Sequence, residues 1–233
     1  MKTMSSKKLL LASVVAGALG ASGAVSAQTN FEVTATVQNA IEVQQDTPLN
    51  FGTLFVVNAS DAVVSYWSLS ASTGNVTTTA NPGVPATHLG GHARGEFRLV
   101  GLGADQEVDL TFHAPSGSQP ELANETTPGT AACEETATNE THVLLGPAGS
   151  DLSVAKPSAA PPRFCMTALT ASTTTGSGNL RAGDYVTAFD HSGDLPFFIG
   201  GVISTMAVPA LHSNHSYSPL VHTGQFGMAA TFR

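Results

Sequence analysis

Short runs of alternating apolar and polar residues, broken by glycine and proline, recur along this chain, and no stretch carries the 3.6-residue period of an amphipathic helix. The strictest run is Phe31 to Gln38. Phe31, Val33, Ala35 and Val37 face one way and Glu32, Thr34, Thr36 and Gln38 the other, the signature of a strand with one buried face. Ala40 to Val43 continues the pattern past a bulge, and Thr47-Pro48 breaks it.

Further extended runs are expected at Leu49 to Leu54, with a bend at Gly52, and at Ala62 to Ser70 and Gly74 to Thr79. Asn81-Pro82-Gly83 is a turn signal. Ala93 to Gly101 places Phe97 and Leu99 on one face and Arg98 on the other, and Glu107 to His113 points Val108, Leu110 and Phe112 inward. After a long interruption the pattern resumes at Phe164 to Thr170, Asp184 to Phe189, Pro196 to Ser204 and Gly224 to Phe232. Residues 114–163 differ, holding seven of the 13 prolines and much Ser, Thr, Ala and Glu. Only Thr141 to Leu145 reads as a strand there, and the rest predicts a loosely ordered excursion with too few large apolar residues for its own core. The fold expected is all-β: an immunoglobulin-like β-sandwich of short antiparallel strands with one long Pro/Ser/Thr-rich excursion.

The first 27 residues read as a signal peptide. Lys2, Lys7 and Lys8 precede the apolar run Leu9 to Leu19, and Val25-Ser26-Ala27 forms a small-residue cleavage site. The run is too short for a membrane span, and no later segment approaches ~18 apolar residues. One domain over residues 28–233 follows, exported to the periplasm, the cell surface or beyond, with no membrane span after signal removal. That part carries all 17 acidic residues against six basic ones, about −11. Nucleic acids and anionic membranes select basic patches, so neither is expected as a partner. Two cysteines in an exported chain, Cys133 and Cys165, predict a disulfide; a two-thiolate metal site lacks the C-x-x-C spacing.

The succession Thr34-Ala-Thr-Val, Leu49-Asn-Phe-Gly-Thr, Phe97-Arg-Leu-Val-Gly, Phe198-Ile-Gly-Gly-Val-Ile, Tyr217-Ser and Thr223-Gly-Gln-Phe before an alternating terminal strand resembles the bacterial secreted family called domain of unknown function 4402, and with it the spore coat protein U and fimbrial-subunit sandwiches. The resemblance spans residues 28–233 apart from the excursion. It departs from the family pattern at the end, where Phe232-Arg233 stands in place of a terminal Tyr, and between Val208 and Gly224, which holds extra His and Pro. It implies the sandwich fold and brings no catalytic or binding residue.

Histidine is the residue type with most latent chemistry. His88 and His92 are spaced H-x-x-x-H, but Gly90-Gly91 between them oppose a helix; His212, His215 and His222 share one loop-rich stretch. Three imidazoles could hold zinc or copper, but no cysteine completes the set, and solvated loop histidines are the plainer reading. Asp190-His191-Ser192-Gly193-Asp194 contains the residue types of a hydrolytic triad, yet neighbours in sequence cannot orient one another as a triad requires, and G-x-S-x-G is absent. A turn explains them better. Glu134-Glu135 and Asp105/Glu107/Asp109 are carboxylates without a visible partner across a cleft.

No enzyme, cofactor or metal centre is therefore expected. The function expected is a non-catalytic, pilin-like or coat-like structural or surface-assembly subunit; the rival is an adhesin-like or carbohydrate-binding module. Its partners would be itself or related subunits through strand pairing, the strand of Phe31, Val33, Ala35 and Val37 closing its own sandwich or adding to a neighbour's edge.

Overall fold

The computed structural model describes residues 41–59, 63–103, 108–115, 133–140, 142–173, 185–188, 193–209 and 215–232. The expected signal peptide, the strand at 31–38 with Phe31, Val33, Ala35 and Val37, and the front of the excursion lie outside these residues. Among the described residues there are strands and no helices.

In chain order the strands are β1 (Glu42–Thr47), β2 (Thr53–Val56), β3 (Tyr66–Leu69), β4 (Val76–Thr79), β5 (Ala86–Gly90), β6 (Gly95–Leu102), β7 (Val108–His113), β8 (Val143–Pro147), β9 (Phe164–Thr173), β10 (Tyr185–Ala188), β11 (Gly193–Thr205), β12 (His222–Thr223) and β13 (Gly227–Phe232). All pairings between them are antiparallel. The largest sheet runs β1-β6-β11-β9-β8-β12 and curls strongly, like half a barrel, with β3 attached to β11 and β4 to β3. A three-stranded sheet runs β10-β7-β13, and β2 pairs with β5.

The long strand β11 organises the large sheet. Its first half, Gly193 to Ile199, pairs with β6; its second half, Gly201 to Ser204, pairs with β3 on the same edge, while β9 holds the other edge from Phe197 to Thr205. Gly200 sits where one neighbour ends and the other begins. A Cβ there would run into the carbonyl oxygen of Leu69 and lie 2.5 Å from the amide nitrogen of Ala71. Only glycine lets the end of β3 close on β11.

Alternation places the core as expected. Val108, Leu110 and Phe112 of β7 are fully buried and share one cluster with Phe97 and Leu99 of β6, Phe197 and Ile199 of β11, and Trp67 and Leu69 of β3. Phe226, Met228, Ala230 and Phe232 pack on the same cluster but stay half-exposed. The Asn81-Pro82-Gly83 turn forms, with Val84 N–H donating to the Asn81 carbonyl at 2.9 Å. Gly193 and Asp194, expected in a turn, belong to β11: register against Leu102 and Leu99 overrides their local turn preference.

Within 114–163, the described residues 133–140 and 142–163 combine buried side chains with exposed stretches. The buried side chains there have partners distant in sequence. Cys133, Ala137 and Leu144 join Ala59, Cys165, Met206 and Val208 in a second buried cluster. The Cys133–Cys165 disulfide lies inside it, both residues buried, with Cα atoms 5.8 Å apart. Nearby, Lys156 Nζ pairs with Glu135 Oε1 at 2.7 Å and donates to the carbonyls of Pro157 and Ala160. Buried Arg163 donates to the carbonyls of Val154 and Asp151 at 2.9 and 2.7 Å.

Candidate functional site

A groove of about 610 Å³ opens between residues 49–56 and residues 217–222. Asn50 fixes the first wall. It bridges to Ala93 through two backbone hydrogen bonds of 2.8 Å, and its side-chain oxygen accepts from Gly52 N–H at 2.8 Å. Gly52 has φ +78°, a left-handed conformation, and turns the chain into β2. The second wall is anchored by Tyr217, whose ring stacks on Phe164 at 4.5 Å between centroids. Its hydroxyl accepts from Met206 N–H at 2.8 Å and donates to the Arg163 carbonyl at 3.3 Å. Burial pushes this hydroxyl far above its ordinary pKa, so it is a structural donor rather than an acid.

The groove lining is largely apolar and uncharged. Of its lining residues none carries a carboxylate, an ammonium or a guanidinium, and the one imidazole is His222. That ring stands edge-on to Phe164 at 5.1 Å, and its Nδ1–H donates to the Leu220 carbonyl at 2.9 Å. Burial lowers its pKa below the ordinary 6.5. Large apolar side chains at the groove face solvent: Phe55 is 54% exposed, Leu220 60% and Val221 72%. An extended apolar segment would find burial here.

The structure brings together one of the two histidine groups. The rings of His88 and His92 lie 4.7 Å apart. His212 lies outside the described residues, while His215, whose carbonyl accepts from Ala59 N–H, and His222 form no shared ligand group. No group of three or more His, Cys, Asp or Glu able to hold a metal occurs among the described residues. Of the Asp190–Asp194 stretch, Asp194 faces Arg98 at 3.8 Å on neighbouring strands, and Arg98 also pairs with Asp46 at 2.5 Å. Glu135, suspected only as half of a carboxylate pair, is the partner of Lys156. Asp109 lies on β7, and Asp105 and Glu107 fall outside the described residues.

The groove and the Glu135–Lys156 pair were not anticipated from sequence. The signal available for the latter was a single lysine in residues 28–233, set in an apolar, proline-rich stretch. No protein-family model, curated protein or solved structure matches this chain.

Proposed function

We propose that the chain is a non-catalytic, exported structural or surface-assembly subunit, pilin-like or coat-like, whose residues 28–233 form an immunoglobulin-like β-sandwich after removal of residues 1–27. In this reading it works by packing against copies of itself or related subunits. The carrying observation is an unfinished edge. Among the described residues β13 pairs only with β7, and its core face, Met228, Ala230 and Phe232, stays half-exposed where Val108, Leu110 and Phe112 next to it are fully buried. Ile41 and Val43, before and in β1, are likewise only half-covered. An added strand with alternating apolar residues would cover this face and pair with the edge of β13 that no described strand pairs with. Phe31, Val33, Ala35 and Val37 have that alternation, and a neighbouring copy is the donor proposed. The resemblance to the secreted sandwich families agrees with this reading.

The test deletes residues 28–38. A foldable but unpolymerised subunit that binds a synthetic peptide of residues 28–43 supports donation. A monomer that stays monomeric at high concentration in its full form, and unfolds on deletion, overturns it. A second reading, an adhesin-like or carbohydrate-binding module, draws on the 610 Å³ groove beside Tyr217. It requires a monomer that retains a glycan, and that loses it when Val221→Asp charges the groove.

A further inference from the structure

His88 and His92 are separated by Leu89 and two glycines, and the backbone turns them toward each other. β5 ends at Gly90, with φ +106° and then +76° at Gly91, both left-handed conformations that glycine adopts without strain. The turn is held from outside. Gly52 lies so close to the Gly90 carbonyl and the His92 amide that a Cβ would collide with both, and Asn50 Nδ2 donates to the Gly91 carbonyl at 3.3 Å. The two imidazoles therefore face a fixed geometry, centroids 4.7 Å apart and planes inclined by 60°.

Their polar atoms are unsatisfied. His88 Nε2 and His92 Nδ1 are both buried and neither has a hydrogen-bond partner. A buried polar atom left unpaired costs ~1–3 kcal/mol, and here two stand in neighbouring rings. In the tautomers that leave these two nitrogens deprotonated, each presents a lone pair that a metal ion can take. Calcium and magnesium prefer oxygen ligands, whereas imidazole suits zinc, copper and nickel. With nitrogen–metal distances of ~2.0–2.1 Å and nitrogen–metal–nitrogen angles of about 90–109°, two imidazoles on one ion hold their centroids roughly 4.5–5.2 Å apart, a range that contains the observed 4.7 Å.

We propose that His88 and His92 form a two-histidine chelate for a divalent late transition metal ion, Zn(II) or Cu(II), with water filling the remaining coordination positions. The site shares Asn50, Gly52 and Gly91 with the groove wall and does not rest on the assembly reading. Binding would brace the β5 turn against Asn50 and Gly52 and link the chain to metal availability where it resides.

The purified chain is titrated with Zn(II) by calorimetry and with Cu(II) by electron paramagnetic resonance. One equivalent bound, with hyperfine structure from two nitrogens, is the expected result. His88→Gln and His92→Gln should each weaken binding at least ten-fold, while His215→Gln leaves it unchanged. Acylation of the unmodified chain by diethyl pyrocarbonate, read residue by residue by mass spectrometry, needs no variant: Zn(II) should protect His88 and His92 selectively. Binding of undiminished strength in the double variant, no saturable binding, or acylation of both residues unaffected by Zn(II) would each overturn the proposal.

Discussion

Replacing Lys156 with Met should be among the most damaging single changes in residues 133–163. The lysine side chain is fully buried, and Glu135 opposite it is 7% exposed. Methionine keeps most of the stem's packing and removes the charge. The change takes away the 2.7 Å ion pair and the bonds from Nζ to the carbonyls of Pro157 and Ala160 at 2.9 and 2.6 Å. It leaves the Glu135 carboxylate in the interior without its counter-charge. Breaking one side of a buried pair costs ~3–5 kcal/mol, which already contains the lost hydrogen bonds. For a domain of this size each kcal/mol shifts Tm by ~2–4 °C, so a fall of about 6–20 °C is expected. The assay is urea and thermal unfolding with the disulfide intact, on Lys156→Met, on Glu135→Leu, and on the double variant. Apolar replacement of a whole buried pair is often neutral or stabilising, so the double variant should regain most of the loss. A single variant within ~1 kcal/mol of the parent, or a double variant no better than Lys156→Met, would refute the claim that the pair acts as a unit.

Replacing Cys133 and Cys165 by Ser should cost ~3–4 kcal/mol, as expected for a closed loop of about this length; native mass analysis should find no thiol to alkylate before reduction. Gly200→Ala should destabilise by at least ~2 kcal/mol, because the clash is with backbone rather than a movable side chain; hydrogen exchange should show β3 losing protection first. Phe112→Ala should cost ~3–5 kcal/mol by denaturant unfolding. Burial lowers the pKa of both His142 and His222 below 6.5. The unfolded chain then binds more protons, so their contribution is present above pH ~6.5 and is lost as pH falls through the folded values. The urea midpoint should drop across that window, less so in His222→Gln.

The parts of the fold that could be read in advance are those governed by one-residue alternation. Val108, Leu110 and Phe112, and Phe97 and Leu99 beside Arg98, show their burial in the sequence because neighbouring positions differ in polarity. β5, with the sequence ATHLG, carries no such contrast and was not anticipated; its pairing with β2 comes from tertiary position. The buried contacts of residues 133–144 are not local in sequence: the atoms that cover Cys133, Ala137 and Leu144 include those of Ala59, Met206 and Val208. The candidate sites follow the same division. The two cysteines announced themselves by number and expected compartment. The groove is made by segments more than 160 residues apart, from Leu49 to His222, and no local pattern encodes it. His88 and His92 were visible as a spacing, but their approach depends on two left-handed glycines and on Gly52 packing behind them.

The partner change along β11 has a consequence in time. β6 pairs with residues 193–199, β3 with residues 201–204 and β9 with residues 197–205, so three strands wait for one that is synthesised after all of them. Before then β1 can meet β6, β2 can meet β5 and β3 can meet β4, each a ribbon with a bare apolar face. Pairings this distant in sequence are slow to form. As the chain emerges from its N-terminus, Trp67, Leu69, Phe97 and Leu99 stay uncovered until residue 205 arrives. That interval is when the unfinished chain is open to holding chaperones and to aggregation, and its length is set by where β11 falls in the sequence.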